Sequence, residues 1–272
     1  GAAFDIHGGG KDLIFPHHEN EIAQSVGASS ESFAKSWIHH GFVTIRDEKM
    51  SKSLGNFLTI REVLDKYHPE ALRLFVFSTH YRTPLDFSEA NMKEATAGLD
   101  RLYDCLAEIE QLPEAGSNQA KPVASKKDVQ QITSLTDRFE RAMDNDFNTA
   151  QALGHLFEGV KALNRLRQKL TDRPAPDDLY LLRQGARDIR KLAKVMGLLR
   201  KDPVSYNERK QAKVLAELGI DPATIEGLIK ERLEAREQKD WAKADEIRNR
   251  LLDQHIELHD SPAGTTWKVR PD

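Results

Sequence analysis

The sequence is poor in cysteine and carries no excess of basic charge. Its single cysteine, Cys105, cannot form an internal disulfide and suits a reducing compartment, so we expect a cytoplasmic protein. A net charge of −3 gives no overall electrostatic signal for nucleic acid, although a local basic face can act within an acidic chain. No uninterrupted apolar run approaches the ~18 residues of a membrane span, and we expect no membrane partner.

The abundant residues indicate helices. With 272 residues, the chain is long enough for about two domains. Charged residues make up 31% of it, which is typical of long amphipathic helices with solvated outer faces. Apolar residues recur at steps of three and four along four stretches, which predict a four-helix bundle. These stretches are Met92–Ile109, Val129–Met143, Leu153–Leu170 and Leu179–Val195.

The first 57 residues differ from the rest. Phe4–Ile6 predicts a strand that enters a glycine loop, and Pro16 suits the first turn of a helix that runs from His17 to about Ser25. An apolar segment, Trp37–Ile45, and a polar loop, 46–56, follow. This order is typical of the closing units of an α/β domain, and a start directly on a strand is a first hint of truncation.

The region after the predicted bundle opens with a joint at Pro203–Tyr206. Shorter helices are predicted at about 207–218, 222–237 and 240–253, and a hairpin at the end of the chain. Between the α/β part and the bundle, Thr59 and Glu62 have the spacing of a capping box, and Ser88 is a candidate helix cap.

The pentapeptide from Lys49 to Ser53, Lys-Met-Ser-Lys-Ser, is the strongest chemical motif. Two lysines three positions apart on a loop, Lys49 and Lys52, form a cationic clamp that can hold the phosphates of ATP. The same charges can stabilise pyrophosphate as it leaves. For a random pair of lysines a solvated turn would be the better interpretation, but the complete pentapeptide favours ATP.

A second motif follows the first predicted strand, His7-Gly8-Gly9-Gly10-Lys11-Asp12. Glycine lets the backbone approach a ligand closely, and Asp12 can accept hydrogen bonds from ribose hydroxyls. By itself the motif is weak, because a tight turn without a ligand has the same sequence requirements.

His17 and Glu21 are four residues apart and share one helix face. An imidazole and a carboxylate at this spacing can supply two zinc ligands, but an ordinary polar pair has the same spacing. Cys105 lies beside Leu102 and Leu106 in an amphipathic stretch, and we interpret it as a packing residue.

Near the end of the chain, Trp241, Asp245 and Arg248 recur at steps that place them on one face of a short helix, with Arg236 just before. An aromatic plane beside an acid and a guanidinium can stack on an unpaired base and hydrogen-bond its edge. The alternative is that the tryptophan covers a small core.

Taken together, the motifs resemble those of the cysteinyl-tRNA synthetases, class I aminoacyl-tRNA synthetases. The resemblance spans the whole chain in the family's order, and the matching segments are 4–10, 12–13, 15–24, 49–56, 80–82, 143–148, 239–245 and 264–267. It implies a mainly α protein with an α/β remnant. Residues 1–57 would be the end of a Rossmann-type catalytic domain, 58–87 a stem-contact or linking region, 88–202 a helical bundle and 203–272 an anticodon-binding domain.

The resemblance also implies partners and residue roles. The expected substrates are L-cysteine, ATP with Mg²⁺, and tRNA(Cys), joined through a cysteinyl-adenylate. Zn²⁺ would bind the substrate thiol, which rejects serine because a hydroxyl is a poorer ligand. The implied roles are catalysis by Lys49, Lys52 and His7; ATP binding by Gly9, Gly10, Asp12 and Lys52; zinc binding by His17 and Glu21; and anticodon reading by Arg236, Trp241, Asp245, Arg248 and Asp260.

Some of the family's features are missing from the sequence. The family carries a His-x-Gly-His-type ATP motif and two cysteine zinc ligands upstream of the His-Gly-Gly-Gly segment, and neither is in this chain. We therefore expect a fragment that is inactive alone. Two other hypotheses stay open: a related ligase that couples cysteine to an amino-sugar, against which the C-terminal segment argues, and a non-enzymatic tRNA-binding module.

Overall fold

The computed structural model describes residues 3–45, 48–50, 58–114, 120–254, 256–261 and 264–269. Within these residues there are eleven α-helices and seven short strands, which confirms a mainly α fold with an α/β part at the N-terminus. The chain divides into two compact units, Gly1–Arg200 and Lys201–Asp272.

The first unit opens with a strand–helix–strand arrangement. Strand β1 (Phe4–Gly10) pairs in parallel with β2 (Ala34–His40), and helix α1 (Glu19–Ser29) connects them. The predicted glycine loop is wrong, because all three glycines belong to β1 and pair with residues 38–40. The backbone of Phe15, the residue before Pro16, is extended, and helical turns run from Pro16 into α1, in line with the predicted start. The predicted end is wrong, since α1 ends at Ser29, four residues further on.

A small sheet links this part to the bundle. Strand β3 (Val43–Ile45) lies in its centre, antiparallel to β4 (Glu48–Lys49) and parallel to β5 (Leu85–Asp86). Helices α2 (Ile60–Lys66) and α3 (Pro69–Phe77) lie between β4 and β5 in the chain. The predicted capping box at the start of α2 is confirmed, with both reciprocal hydrogen bonds present.

The helical bundle contains α4 (Glu89–Glu110), α5 (Lys126–Thr133), α6 (Leu135–Asp144), α7 (Thr149–Gln168) and α8 (Pro176–Val195). Ser88 caps α4 as predicted. The prediction of one helix over Val129–Met143 is wrong. The hydroxyls of Thr133 and Ser134 donate to backbone carbonyls one turn earlier, and the chain breaks into two helices there. The core is formed by fully buried side chains, among them Leu99, Leu102, Leu135, Leu156, Leu163, Leu182 and Ile189.

The second unit contains α9 (Pro203–Leu218), α10 (Pro222–Glu237), α11 (Trp241–Asp253) and the predicted hairpin, β6 (Ile256–Ser261) with β7 (Gly264–Val269). The two units divide between Arg200 and Lys201, just before the predicted joint at Pro203–Tyr206. The joint residues themselves are helical, since Asp202 caps a helix that starts at Pro203. Helices and hairpin share one apolar core, formed by Leu215, Ile225, Leu228, Ile229, Ile247, Leu251, Ile256 and Leu258.

Among the described residues, none of the helices combines the length and apolarity that crossing a membrane requires. Cys105 is buried in α4, and burial raises the pKa of its thiol to about 12, as expected for a packing residue.

Candidate functional site

The first candidate site lies on one face of the β1–β2 pair. In the parallel register, His7 lies opposite Trp37 and Gly9 opposite His39. Because side chains two positions apart point to the same side of a strand, these residues share one face of the sheet. Trp37 and His39 stack, with ring centroids 5.9 Å apart.

The glycines make room for neighbouring side chains on this face. A Cβ added to Gly9 would lie 2.8 Å from Cε1 of His18, and one added to Gly10 would lie 2.4 Å from Oδ1 of Asp12. The His18 imidazole therefore takes the place that a side chain at Gly9 would occupy. The Asp12 carboxylate lies against the end of the strand in the same way.

Glu21 is the centre of the site. Nε2 of His7 is 3.1 Å from its Oε2, and Nε2 of His17 is 3.6 Å from its Oε1. Nε2 of His18 lies 4.0 Å from Oε2. One carboxylate thus faces three imidazoles, two from the turn that enters α1 and one from β1.

The three imidazoles differ in their surroundings. His17 is 59% exposed, whereas His18 is buried and its Nδ1 is 2.8 Å from Nε2 of His39. Burial and the neighbouring His39 lower the pKa of His18, so its ring is neutral at pH 7. Rings of Phe33 and Trp37 lie 4.9 Å from that of His7 and cover it.

The donors in this cluster fit a zinc ion by type. Zinc takes neutral imidazole nitrogens and carboxylate oxygens, usually four ligands in a tetrahedron. Donor atoms of His7, His18 and Glu21 lie within 4.8 Å of one another. The predicted pair, His17 and Glu21, is also close, but the converging group includes His18 in place of His17.

Three members of this cluster escaped the sequence analysis as site residues: His18, Trp37 and His39. The signal for His18 was its place next to His17. Nothing in the spacing revealed Trp37 and His39, because their proximity to His7 depends on the pairing of two strands about 30 residues apart.

The predicted ATP clamp is described only in part. Lys49 is the last residue of β4, where its backbone pairs with Thr44 of β3. Lys52 lies outside the described residues, so its role stays a prediction.

The second candidate site is in the C-terminal unit. Trp241 begins α11 and is 60% exposed, outside the core that the unit shares. Asp245 and Arg248 are also exposed, whereas the core side of α11 is formed by Ala244, Ile247 and Leu251. The helix therefore separates its packing face from a face that carries an aromatic ring and two charges.

Asp260, on β6, belongs to a different arrangement. Arg232 donates to both of its carboxylate oxygens, at 2.9 and 2.8 Å, and Arg236 donates to one at 3.0 Å. The Thr265 hydroxyl adds a fourth bond at 2.7 Å. Arg232 and Thr265 hold the pKa of Asp260 well below its usual range.

Arg232 was missed by the sequence analysis, although it precedes Arg236 by one helical turn. Its side chain is 7% exposed, against 41% for Arg236. A buried guanidinium that donates two parallel bonds ties α10 to the hairpin. Two of the predicted anticodon residues, Arg236 and Asp260, are thus joined, whereas Trp241, Asp245 and Arg248 share an open helix face.

Comparison with known proteins first indicates the class of protein to which this chain is similar. The family of class I (C) tRNA synthetase catalytic domains matches residues 1–97, and the DALR domain family matches residues 138–200. The fold resembles the crystal structure of the Agrobacterium radiobacter LeuRS–tRNA–LeuAMS ternary complex, with a TM-score of 0.51 and 16% identity over 73% of this chain and 28% of that one. These matches define the class as the class I aminoacyl-tRNA synthetases.

Closer relatives narrow the class to one family. The cysteinyl-tRNA ligase anticodon-binding domain matches residues 222–267. The cysteine–tRNA ligase of Desulfotalea psychrophila is 54% identical over 269 residues, and that of Trichlorobacter lovleyi is 49% identical over 273. Each alignment covers 99% of this chain and 55% of the relative. The chain belongs to the cysteine–tRNA ligase family and spans about half the length of these curated relatives.

Proposed function

We propose that this chain is the C-terminal part of an enzyme that joins L-cysteine to tRNA(Cys), with ATP converted to AMP and pyrophosphate through a cysteinyl-adenylate. One observation carries the proposal, the 54% identity to a cysteine–tRNA ligase over nearly all of the chain. The order of the two matched regions supports it, since a catalytic-domain match precedes an anticodon-domain match.

In this proposal, ATP with its Mg²⁺ is held between the end of β1 and the lysine loop. Gly9 and Gly10 would contact the nucleotide through their backbone, since His18 and Asp12 occupy the space that side chains there would fill. Asp12 lies beside them as a ribose acceptor. Lys49 and Lys52 neutralise the charge that grows on the departing pyrophosphate.

The substrate cysteine lies at the imidazole cluster. We propose that Glu21 and His17 hold a zinc ion, with His7 beside them for productive binding of cysteine. The zinc would bind the thiolate of the substrate and so discriminate against serine. The other two imidazoles near this carboxylate, His7 and His18, are less exposed than His17, and His18 is hydrogen-bonded to His39.

The tRNA binds through the C-terminal unit. Trp241, Asp245 and Arg248 offer a stacking plane and two charges on an open face, which suits unpaired anticodon bases. Arg236 and Asp260 contribute from the neighbouring helix and hairpin. This region favours a tRNA ligase over the amino-sugar ligase, which resembles the catalytic half. A cytoplasmic location is part of the proposal, since a lone buried cysteine is compatible with a reducing compartment.

A charging assay tests the proposal. The 272-residue chain is compared with the same chain joined to the N-terminal part of the Desulfotalea psychrophila ligase, using labelled cysteine, ATP and tRNA(Cys). We expect no cysteine-dependent pyrophosphate exchange from the chain alone and charging of tRNA(Cys) by the joined enzyme. A joined enzyme that folds and binds tRNA but forms no cysteinyl-adenylate would contradict a ligase role and leave the binding-module hypothesis.

Metal analysis tests the zinc proposal. We expect the chain alone to lose zinc on dialysis against a chelator, because two further thiolates supply much of the affinity in the family. In the joined enzyme, Glu21→Ala and His17→Ala should each lower zinc content, whereas His18→Ala should retain it. Loss of zinc with His18→Ala and retention of zinc with His17→Ala would instead identify the buried imidazole of His18 as the zinc ligand.

A further inference from the structure

Two motifs that the proposed function does not use meet in the structure. Asp146, in the corner between α6 and α7, accepts a hydrogen bond from the Tyr81 hydroxyl at 2.6 Å. Nε and Nη2 of Arg82 donate to its two oxygens at 2.6 and 3.0 Å. His80 adds an imidazole 3.8 Å from the same carboxylate. A bidentate guanidinium and a phenol therefore join segments that lie 64 residues apart.

The corner that presents Asp146 has an unfavourable backbone. Asp146 and Phe147 both lie in the left-handed region, with φ of 55° and 51°. This conformation is unfavourable for residues other than glycine, less so for Asp than for Phe. The corner is closed by bonds from the Phe147 and Asn148 amides to carbonyls of α6. Two adjacent unfavourable residues, held in place by the surrounding structure, indicate that the direction of this carboxylate matters.

The segment that Asp146 holds lies against the small sheet. The Gly41 amide donates to the Tyr81 carbonyl at 2.8 Å, and a Cβ at Gly41 would lie 2.6 Å from the backbone of Thr83. Further along, the amides of Leu85 and Phe87 donate to carbonyls of residues 42 and 44, each at 2.8 Å. Backbone hydrogen bonds therefore join this segment to β3 and to the residues just before it.

Strand β3 leads to the lysine loop. Its other edge pairs with β4, where Thr44 lies opposite Lys49, and the Met50 amide donates to the Val43 carbonyl at 3.2 Å. Lys49 and Met50 are the first two residues of the signature pentapeptide. A continuous path of hydrogen bonds thus joins the bundle corner to the start of the loop.

We propose that Asp146 is a positioning residue. By holding Tyr81 and Arg82 it fixes the 80–87 segment, and through β3 it fixes the strand that carries Lys49. The adenylation reaction that benefits rests on the proposed function, whereas the contact path does not. The Arg82 guanidinium and the Tyr81 hydroxyl lower the pKa of Asp146 to about 2, so the carboxylate remains ionised at neutral pH.

The contact path can be tested on the chain itself by amide hydrogen exchange. Asp146→Asn keeps the shape and tolerates the left-handed backbone, but it loses the charge that Arg82 binds. Asp144→Asn is the matched control, since Asp144 is an exposed acid two residues earlier. We expect Asp146→Asn to speed exchange several-fold at the amides of Gly41, Leu85 and Phe87, with α8 unchanged and no effect of Asp144→Asn. Unchanged exchange at these three amides would overturn the proposal.

A second variant removes the same ion pair without a substitution in the corner between α6 and α7, so a folding defect there cannot explain its effect. Arg82→Gln leaves the backbone of residues 146–147 untouched and removes the same ion pair. It should speed exchange at the same amides, and the double variant should add little to either single one. Full additivity of the two substitutions would show that the residues act independently and would overturn the path.

Kinetics of the joined enzyme test the positioning role. Asp146→Asn should lower kcat of cysteine-dependent pyrophosphate exchange several-fold, with KM for cysteine unchanged, while Asp144→Asn matches the unsubstituted enzyme. Faster amide exchange with an unchanged kcat would refute positioning. Absence of activity in the unsubstituted enzyme would contradict the proposed function instead, and the exchange experiment would still decide the contact path.

Discussion

The two candidate sites are built in different ways. In the N-terminal unit, three imidazoles gather around Glu21, and aromatic rings pack against that of His7. In the C-terminal unit, Trp241 is 60% exposed on a helix whose apolar side is already packed. A converging group of metal-type donors suits a small ligand, and an open aromatic face suits a macromolecular partner. In the proposed function, amino-acid chemistry and tRNA reading therefore fall to separate units of the chain.

The carboxylates Asp146 and Asp260 have similar hydrogen-bond partners, but the arginines that bind them differ in exposure. Each accepts a bidentate arginine and a hydroxyl, and each is about two-fifths exposed. The arginine differs, since Arg82 is 45% exposed and Arg232 is 7% exposed. Because a buried charge left without its partner is costly, we expect loss of Asp260 to lower the stability of the fold more than loss of Asp146.

The largest effect is expected in the N-terminal unit. If the lysine loop acts on charge that grows in the transition state, Lys52→Ala in the joined enzyme should lower the rate of adenylate formation by about 10²–10³. Cysteine binding should change little, because the proposed role of the loop is to contact phosphates. Single-turnover formation of the adenylate gives the rate, and Lys191→Ala, on the exposed side of α8, is the control.

An unchanged single-turnover rate with only a raised KM for cysteine would contradict this assignment. Lys52 would then contribute to ground-state binding of the substrates, and the N-terminal site would lose its proposed catalytic residue.

A smaller effect is expected in the C-terminal unit. Trp241→Ala should lower kcat/KM for aminoacylation by the loss of one stacked base, about 1–3 kcal/mol. Pyrophosphate exchange should stay intact, since it needs no tRNA. Leu252→Ala removes another exposed apolar side chain of α11 and should leave both activities unchanged.

Asp260→Asn helps to distinguish residues that read the anticodon from residues that stabilise the fold of the C-terminal unit. This substitution deprives the buried Arg232 of its charged partner, so it should lower the melting temperature of the unit, whereas Trp241→Ala should not. A Trp241→Ala enzyme that melts as early as Asp260→Asn would place the tryptophan among the packing residues.

Much of the fold followed from the sequence, because long apolar stripes indicate helices directly. The predictions failed where side chains compete with the backbone, as at Thr133 and Ser134, and where a glycine run belongs to a strand. In the sites, local spacing indicated Glu21 and Trp241. It missed His39 and Arg232, since their contacts depend on pairing between elements distant in the chain.

In the proposed function, the open face of α11 reads the anticodon, and the N-terminal unit forms the adenylate without that contact. The most direct measurement is kcat/KM for aminoacylation by the joined enzyme and its Trp241→Ala variant, with tRNA(Cys) carrying either its own or an altered anticodon. The account predicts a clear loss on the correct anticodon and a much smaller one on the altered anticodon, where the contact was already absent. Equal losses on both tRNAs would contradict it.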